Sequence, residues 1–330
     1  MSCLETFLDQ NTLLLDVRSP SEFAKGHIPG AVSFPLFSDQ ERAEVGTLYK
    51  KEGKKAAIQR GLQLVGPKLS LFVLEAEKSL NSAKTLRLYC ARGGMRSSSM
   101  AWLLELYGVR CLVLKGGYKV FRRWVINQWI KPYPFRVLGG FTGSGKTELL
   151  QKLSEQGAQM IDLERLACHR GSSFGSLGFA MQPSIEHFEN LLARCLSQCD
   201  LSRPIWVEDE SRMIGHCCLP TAIWSQMEKA PFFWLEDSHK QRVLRLVQQY
   251  GSYSIEQLSS SILRLSKKLG LVKAKALVSL LEEGKLEEVV ESLLQYYDKS
   301  YLYACQKRHK TQIPVSKESM FYIEPDAKLC

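Results

Sequence analysis

Along the chain, short apolar runs alternate with longer segments of helical period. Leu13-Leu-Leu-Asp16 predicts a strand that ends on an acid. Ala31-Val-Ser-Phe34, Thr85-Leu-Arg-Leu-Tyr89 and Cys111-Leu-Val-Leu114 predict three more. Ser19 as N-cap, with Glu22 three residues on, predicts a short helix between the first two. Gly26-His-Ile-Pro-Gly30 reads as a turn, and residues 41–80 are mostly helical. Ser97–Tyr107 carries apolar residues at 100, 103, 104 and 107 and predicts another helix. This alternation predicts a small parallel sheet with helices on both faces. Val120–Ile130 is a helix or connector, and Pro132 and Pro134 make Lys131–Pro134 a linker.

A second series follows. Phe135–Leu138, Gln159–Asp162, Pro204–Val207 and Pro231–Leu235 predict strands. From Ser238 onward helices dominate, with a capping box at Ser254 and Gln257 and helix ends at Gly270 and Gly284. The expected organisation is an α/β domain over 1–130, a linker at 131–134, a second α/β domain over 135–237, and a helical region over 238–330.

The stretch Gly140-Phe-Thr-Gly-Ser-Gly-Lys146-Thr147 joins the strand at 135–138 to a helix start at Glu148. It fits G-x-x-x-x-G-K-[ST], the P-loop, in its strand–loop–helix frame. Gly140, Gly143 and Gly145 let backbone N–H groups turn inward with those of Thr142 and Ser144, and the helix N-terminus adds positive potential. Lys146 would reach a terminal phosphate and Thr147 would hold Mg²⁺. Glu208, after an apolar strand, sits where a Walker-B acid would help hold that ion, or else forms a surface salt bridge. Asp162 and Glu164 end another strand beside the expected crevice. Arg170 and Arg212 are candidate contacts to pyrophosphate or RNA, and His169 is either a proton donor or a structural histidine.

A second chemical centre is Tyr89-Cys90-Ala-Arg92-Gly93-Gly94-Met-Arg96-Ser97. A thiol at a strand end faces loop N–H groups, and Arg92 and Arg96 add charge. Such surroundings lower a thiol pKa and activate the thiolate. Two chemistries fit. One is chalcogen transfer through a persulfide or perselenide on Cys90. The other is phosphate-ester hydrolysis, because Cys90-x5-Arg96-Ser97 matches C-x5-R-[ST], although Tyr89 stands where that pattern carries His.

Composition narrows this picture. The chain has 330 residues, which suits two domains, and 45% hydrophobic content, enough for packed cores. Its apolar runs are too short to span a membrane, and the N-terminal residues do not read as a secretory signal. Ten cysteines without an export signal predict a reducing cytoplasmic setting and mostly free thiols. Cys195, Cys199, Cys217 and Cys218 lack zinc spacing and read as small buried hydrophobes. The formal charge of +10 favours a polyanionic partner, with basic clusters at Arg122-Arg123, Lys267-Lys268, Lys273 with Lys275, and Lys307–Lys310. Each cluster alone reads as a solvated helix face; together they keep RNA in view.

The first part resembles a rhodanese domain. The resemblance rests on Asp16-Val-Arg18-Ser-Pro-Ser-Glu22-Phe, Gly26-His27-Ile-Pro-Gly30-Ala31, the Cys90 loop, and Gly116-Gly117-Tyr118. It implies that Asp16 and Arg18 support the loop and that His27 belongs to the framework. A rhodanese module followed by a P-loop domain resembles the tRNA 2-selenouridine synthases. Further shared stretches are Asp162-Leu-Glu164, His169–Gly175, Gln182-Pro183, Phe188-Glu189-Asn190 and Glu208–Gly215. Ala91 and Asp209 depart from that pattern. The resemblance implies a tRNA substrate bearing wobble 2-thiouridine. Its sulfur is geranylated by geranyl diphosphate and then replaced by selenium from selenophosphate, which selenophosphate synthetase would deliver. It implies no tightly bound cofactor, and Mg²⁺ remains a candidate ion at the P-loop. In this scheme Cys90 takes up selenium, and the P-loop holds the departing diphosphate. Phe141, Phe174, Phe179 and Met181 are candidates either for a prenyl cleft or for the core. Two other readings remain: a rhodanese fused to an RNA-stimulated NTPase, and a nucleotide-switched RNA-binding regulator.

Overall fold

The computed structural model describes residues 3–8, 12–80, 85–307 and 311–320. Cys330, residues 308–310 of the last basic cluster, and the side chains of Cys3 and Lys307 lie outside what is described. The chain divides into two units, Met1–Gln128 with Glu189–Arg194, and Trp129–Phe188 with Cys195–Cys330.

The first unit is built on strands β1 (Leu13–Asp16), β2 (Ala31–Ser33), β3 (Thr85–Tyr89) and β4 (Arg110–Val113). They form one sheet in the order β2-β1-β3-β4, parallel throughout. Central strands β1 and β3 are buried, as their near-continuous apolar runs require. Leu15, Leu86, Leu88 and Leu104 are fully buried in the core between sheet and helices. The capping acid expected at the first helix is in place: Glu22 accepts the Ser19 N–H at 3.2 Å. The helix expected from Ser97 starts earlier, at Met95, because Gly94 serves as its N-cap.

The second unit carries β5 (Phe135–Gly139), β6 (Gln159–Ile161), β7 (Ile205–Glu208), the hairpin strands β8 (Met213–Ile214) and β9 (Cys217–Cys218), β10 (Phe232–Leu235) and β11 (Gln312–Val315). The main sheet has the order β11-β10-β5-β7-β6 and is parallel. The completely buried β5 lies at its centre, between β7 and β10. The chain leaves β5 toward one side first and returns to the other, so the loop after β5 sits at the switch point where such sheets bind ligands. Strand β11 is an addition to the region where helices were expected to dominate. Its Pro314 has no N–H to donate, which an edge strand tolerates.

Four longer helices follow β10: His239–Tyr250, Ile255–Arg264, Leu271–Glu282 and Leu286–Lys307. Leu258, Ile262, Ala274, Leu277, Leu281, Val289 and Leu293 form the shared core of the last three, and Val243 and Leu246 of the first pack with Val290 and Leu294. The Ser254–Gln257 capping box is present. Among the described residues, no helix is long and apolar enough to cross a membrane.

Candidate functional site

Strand β3 ends at Tyr89 and places Cys90 at the start of a loop that closes on the helix Met95–Leu106. Cys90 is only 3% exposed and packs with the core of the first unit. Its sulfur is nonetheless in polar surroundings. The Ser97 hydroxyl donates to Cys90 Sγ at 3.2 Å. Burial alone pushes the thiol up, but the Ser97 hydroxyl and the backbone N–H groups of Arg92, Ser97 and Gly94 outweigh it and hold Cys90 below its ordinary value.

The arginines do not supply this effect. Arg96 is turned to Glu22, with Nη1 to Oε2 at 2.7 Å, and Arg92 is exposed. Gly93 lies at φ 59° and Gly117 at φ 56°. A Cβ at Gly117 would run into the Cys90 carbonyl, and one at Gly93 into that of Leu114. These glycines let two loops press backbone to backbone, where the Tyr118 N–H donates to the Cys90 carbonyl at 2.9 Å.

Asp16 and Arg18 support this frame from below. They form a buried pair at 2.6 Å, and Arg18 lies 3.8 Å over the Tyr118 ring. His27 stacks on Phe23 at 3.8 Å and belongs to the framework. Arg122 is engaged by Glu189 and Asn190, so that basic pair does not offer two unpaired charges. The eight cysteines with described side chains are all free thiols.

In the second unit the P-loop wraps the start of the helix Lys146–Glu155. Gly140, Gly143 and Gly145 all take positive φ. Lys146 Nζ donates to the Gly140 carbonyl at 3.0 Å. The loop borders a cleft of about 1060 Å³. That cleft brings together Gly140, Thr142, Gly143, Gly145, Lys146, Thr147, Asp162, Glu164, Arg170, Glu208 and Arg212 from the expected site. Ser144 is instead buried beneath the loop, and its hydroxyl has no partner among the described residues.

Several expected contacts have structural duties. Asp162 caps the helix Leu163–Ala167 by accepting the Arg165 N–H at 2.8 Å. Arg170 donates to the Leu177 carbonyl and lies 4.7 Å over Phe179. Arg212 bonds Thr221 at 2.8 Å. His169 is not part of the cleft lining. Its Nδ1 accepts the Gly171 N–H, and burial, Arg264 and His216 hold its imidazole below the ordinary value. The Gly171 contact gives this ring a structural part in the loop.

Glu164, Glu208 and Glu210 place one carboxylate oxygen each within 4.8 Å of the others. Glu208 is 3% exposed, and its Oε1 has no hydrogen bond. Burial, then Glu208 and Glu210, push Glu164 up to about 10. Burial, then Glu208, push Glu210 up to about 7. Burial also raises Glu208, against the pull of Lys146 and the Thr147 hydroxyl. Crowded hard oxygens with one orphaned atom are a fitting donor set for a divalent cation such as Mg²⁺. Thr147 and Glu208 would hold it together with Glu164 and Glu210, which both extend the set expected for the ion.

Residues far along the chain brace the P-loop. Tyr301 accepts the Gly140 N–H at 3.2 Å and donates to Asp209 at 2.7 Å. Asp209, the departure noted in the sequence, is therefore a buried acceptor. Arg242 donates to the Thr142 carbonyl at 2.9 Å and pairs with Asp298 at 2.6 Å. Arg245 bonds the Gly143 carbonyl and Asp237.

An apolar cavity of about 50 Å³ shares Thr142, Ser172, Leu246, Tyr250 and Tyr297 with the cleft lining. Phe174 lines this cavity and Phe179 lines the cleft. Phe141 packs instead on Trp234 at 4.9 Å, and Met181 is 93% exposed, so neither joins them.

Comparisons with known proteins bear on both units. Residues 2–123 match the rhodanese-like domain, and residues 133–322 match the tRNA 2-selenouridine synthase AAA domain. A tRNA 2-selenouridine synthase from Bordetella bronchiseptica is 37% identical, with 89% of each chain covered. One from Bdellovibrio bacteriovorus is 35% identical over 93% of each. Another, from Pseudomonas putida strain W619, is 42% identical over 74% of this chain and 68% of that one. A crystal structure of an N-terminal domain from Clostridium difficile 630 is 41% identical, covers 37% of this chain and 96% of its own, and superposes with a TM-score of 0.36. A rhodanese unit followed by a P-loop unit with a helical C-terminal region, and a match to this family along most of the chain, lead to one assignment: the chain belongs to the tRNA 2-selenouridine synthase family.

Proposed function

We propose that this chain forms 2-selenouridine in tRNA in two steps. The first transfers a geranyl group from geranyl diphosphate to the sulfur of wobble 2-thiouridine. The second replaces geranylthiolate by selenium from selenophosphate. The observation that carries the reading is the P-loop cleft, which shares five lining residues with an apolar cavity. A polar cradle beside an apolar recess suits a ligand with an anionic head and a hydrocarbon tail.

In the first step the thiouridine sulfur attacks C1 of the geranyl group. The C–O bond to diphosphate breaks, and the N3 proton passes to solvent. The P-loop amides and Lys146 stabilise the departing charge. A Mg²⁺ bound at the carboxylates and Thr147 would supply further charge neutralisation. Alkylation turns a poor leaving group into a thiolate that departs more readily. In the second step selenium bonds to C2 and geranylthiol leaves. Water takes the phosphoryl group, so selenophosphate ends as phosphate and the ring as the N3-protonated selenocarbonyl. The Cys90 loop engages the selenium donor, with its thiol kept reactive by Ser97 and the loop N–H groups.

The test is mass analysis of tRNA nucleosides after incubation with geranyl diphosphate, with and without selenophosphate. Cys90→Ser should still geranylate and form no selenouridine, whereas Lys146→Ala should block geranyl transfer. Selenation that survives Cys90→Ser would remove Cys90 from the mechanism. RNA-stimulated nucleotide hydrolysis without geranyl transfer would favour the NTPase reading.

A further inference from the structure

Between Glu256 and Glu282 the chain contains five basic residues and no acid: Arg264, Lys267, Lys268, Lys273 and Lys275. These residues belong to three consecutive helices, Ile255–Arg264, Ser266–Leu269 and Leu271–Glu282. Their inward faces are spent on packing, through Leu258, Ile262, Leu265, Ala274, Leu277 and Leu281. All five basic side chains are exposed. Leu271 and Val272 stand among them, 56% and 86% exposed. The lysines have no ion pair among the described residues, in contrast with Lys68, Lys152, Lys285 and Lys317, which do.

The helix of Arg264 ties this surface to the cleft. It packs through Leu258 and Ile262 against Phe174, and these three line the apolar cavity with Ser172, a residue of the cleft wall. Arg165, Arg170 and Arg212 stand on the cleft lining as well, among the acids Asp162, Glu164, Glu208 and Glu210. A cluster of exposed basic side chains beside a cleft concentrates a polyanion there and orients it. Structured RNA is recognised in large part through its phosphates and ribose hydroxyls, which such a surface can hold without reading bases.

We propose that the helical segment Arg264–Lys275 is the tRNA-docking surface, holding the phosphate backbone while the wobble base is presented to the P-loop cleft. This rests on the reading that tRNA is the substrate, and its test is arranged to separate the two. Binding of unmodified tRNA is measured by fluorescence anisotropy from 50 to 250 mM salt, so no turnover is needed. The full chain is compared with a variant carrying Lys267→Gln, Lys268→Gln, Lys273→Gln and Lys275→Gln. A second variant removes the same charge elsewhere, through Lys50→Gln, Lys51→Gln, Lys54→Gln and Lys55→Gln, all exposed in the first unit.

The first variant should bind about tenfold or more weakly at 100 mM salt, with the salt slope reduced by about 2 to 3, since each lost phosphate contact removes about 0.9. The second should retain the slope. Equal losses in both variants would reduce the effect to net charge and overturn the proposal. An unchanged slope in the first would overturn it as well. If neither geranyl transfer nor selenation occurs but the first variant alone loses tRNA, the docking surface stands and the assigned reaction fails.

Discussion

Ser97→Ala tests how the Cys90 thiol is activated. The substitution deletes one oxygen from a fully buried site and leaves the loop N–H donors of Arg92 and Gly94 in place. The lost contact is an O–H to sulfur bond of 3.2 Å that is strongest when the sulfur is charged. A hydrogen bond to a charged group contributes about 1.5–3 kcal/mol, so the thiolate population well below its midpoint should fall about 10- to 150-fold. The remaining thiolate is more nucleophilic, with a Brønsted slope of about 0.4–0.5, which leaves a net fall in alkylation rate of about 4- to 16-fold.

Iodoacetamide labelling at pH 6, read by mass spectrometry on the peptide that contains Cys90, separates it from the other cysteines. Because Cys90 is 3% exposed, labelling also depends on loop opening. Opening affects every pH alike, whereas the lost hydrogen bond lowers the thiolate population only where the thiol is still protonated. The variant should therefore react more slowly at pH 6, and its deficit should vanish or reverse by pH 10, where its more nucleophilic thiolate is largely formed. A constant ratio across that range would assign the effect to opening, and no difference at pH 6 would remove Ser97 from the activation of Cys90.

Two further outcomes are expected. Glu164 and Glu210 have folded-state values raised above ordinary carboxyls, so the folded form holds extra protons and stability falls as pH climbs through about 7, the value for Glu210. Mg²⁺ should reverse that loss: at 100 times its Kd it adds about 2.7 kcal/mol, or about 5–10 °C by scanning calorimetry. The gain should be larger at pH 8 than at pH 5.5 and absent in Glu208→Gln; equal gains at both pH values would refute the carboxylate site. Tyr301→Phe removes both the donor to Asp209 and the acceptor of the Gly140 N–H, and should weaken inorganic pyrophosphate binding about tenfold in titration calorimetry, from about 1.5 kcal/mol of lost bonding.

The parallel strands were legible because buried parallel strands are written as unbroken apolar runs, and the P-loop because its chemistry fixes Gly, Lys and Thr at set spacing. Strand β11 was not, since it is only four residues long and Pro314 within it suits an edge and mimics a loop. The Cys90 loop was legible in its residue types and misleading in its charges. Arg96 and Glu22 are both visible in the sequence, but nothing local indicates that residues 74 positions apart pair and turn that arginine from the sulfur. The depth of Cys90 was hidden for a similar reason, because it follows from the contact between the Gly93 and Gly117 backbones.

The same limit applies more strongly to the P-loop. Its glycines can adopt many conformations, so the loop's own sequence permits an anion nest without holding one. In this fold the holding comes from Arg242 on the Thr142 carbonyl, Arg245 on the Gly143 carbonyl and Tyr301 on the Gly140 N–H. Arg242 is in turn fixed by Asp298, one helical turn before Tyr301 on the same long helix. Thus one face of the helix Leu286–Lys307 sets the geometry of a loop some 150 residues earlier. The helical C-terminal region is therefore part of the phosphate site: substitutions along the 298–301 turn should act on ligand affinity even where they leave every P-loop residue unchanged.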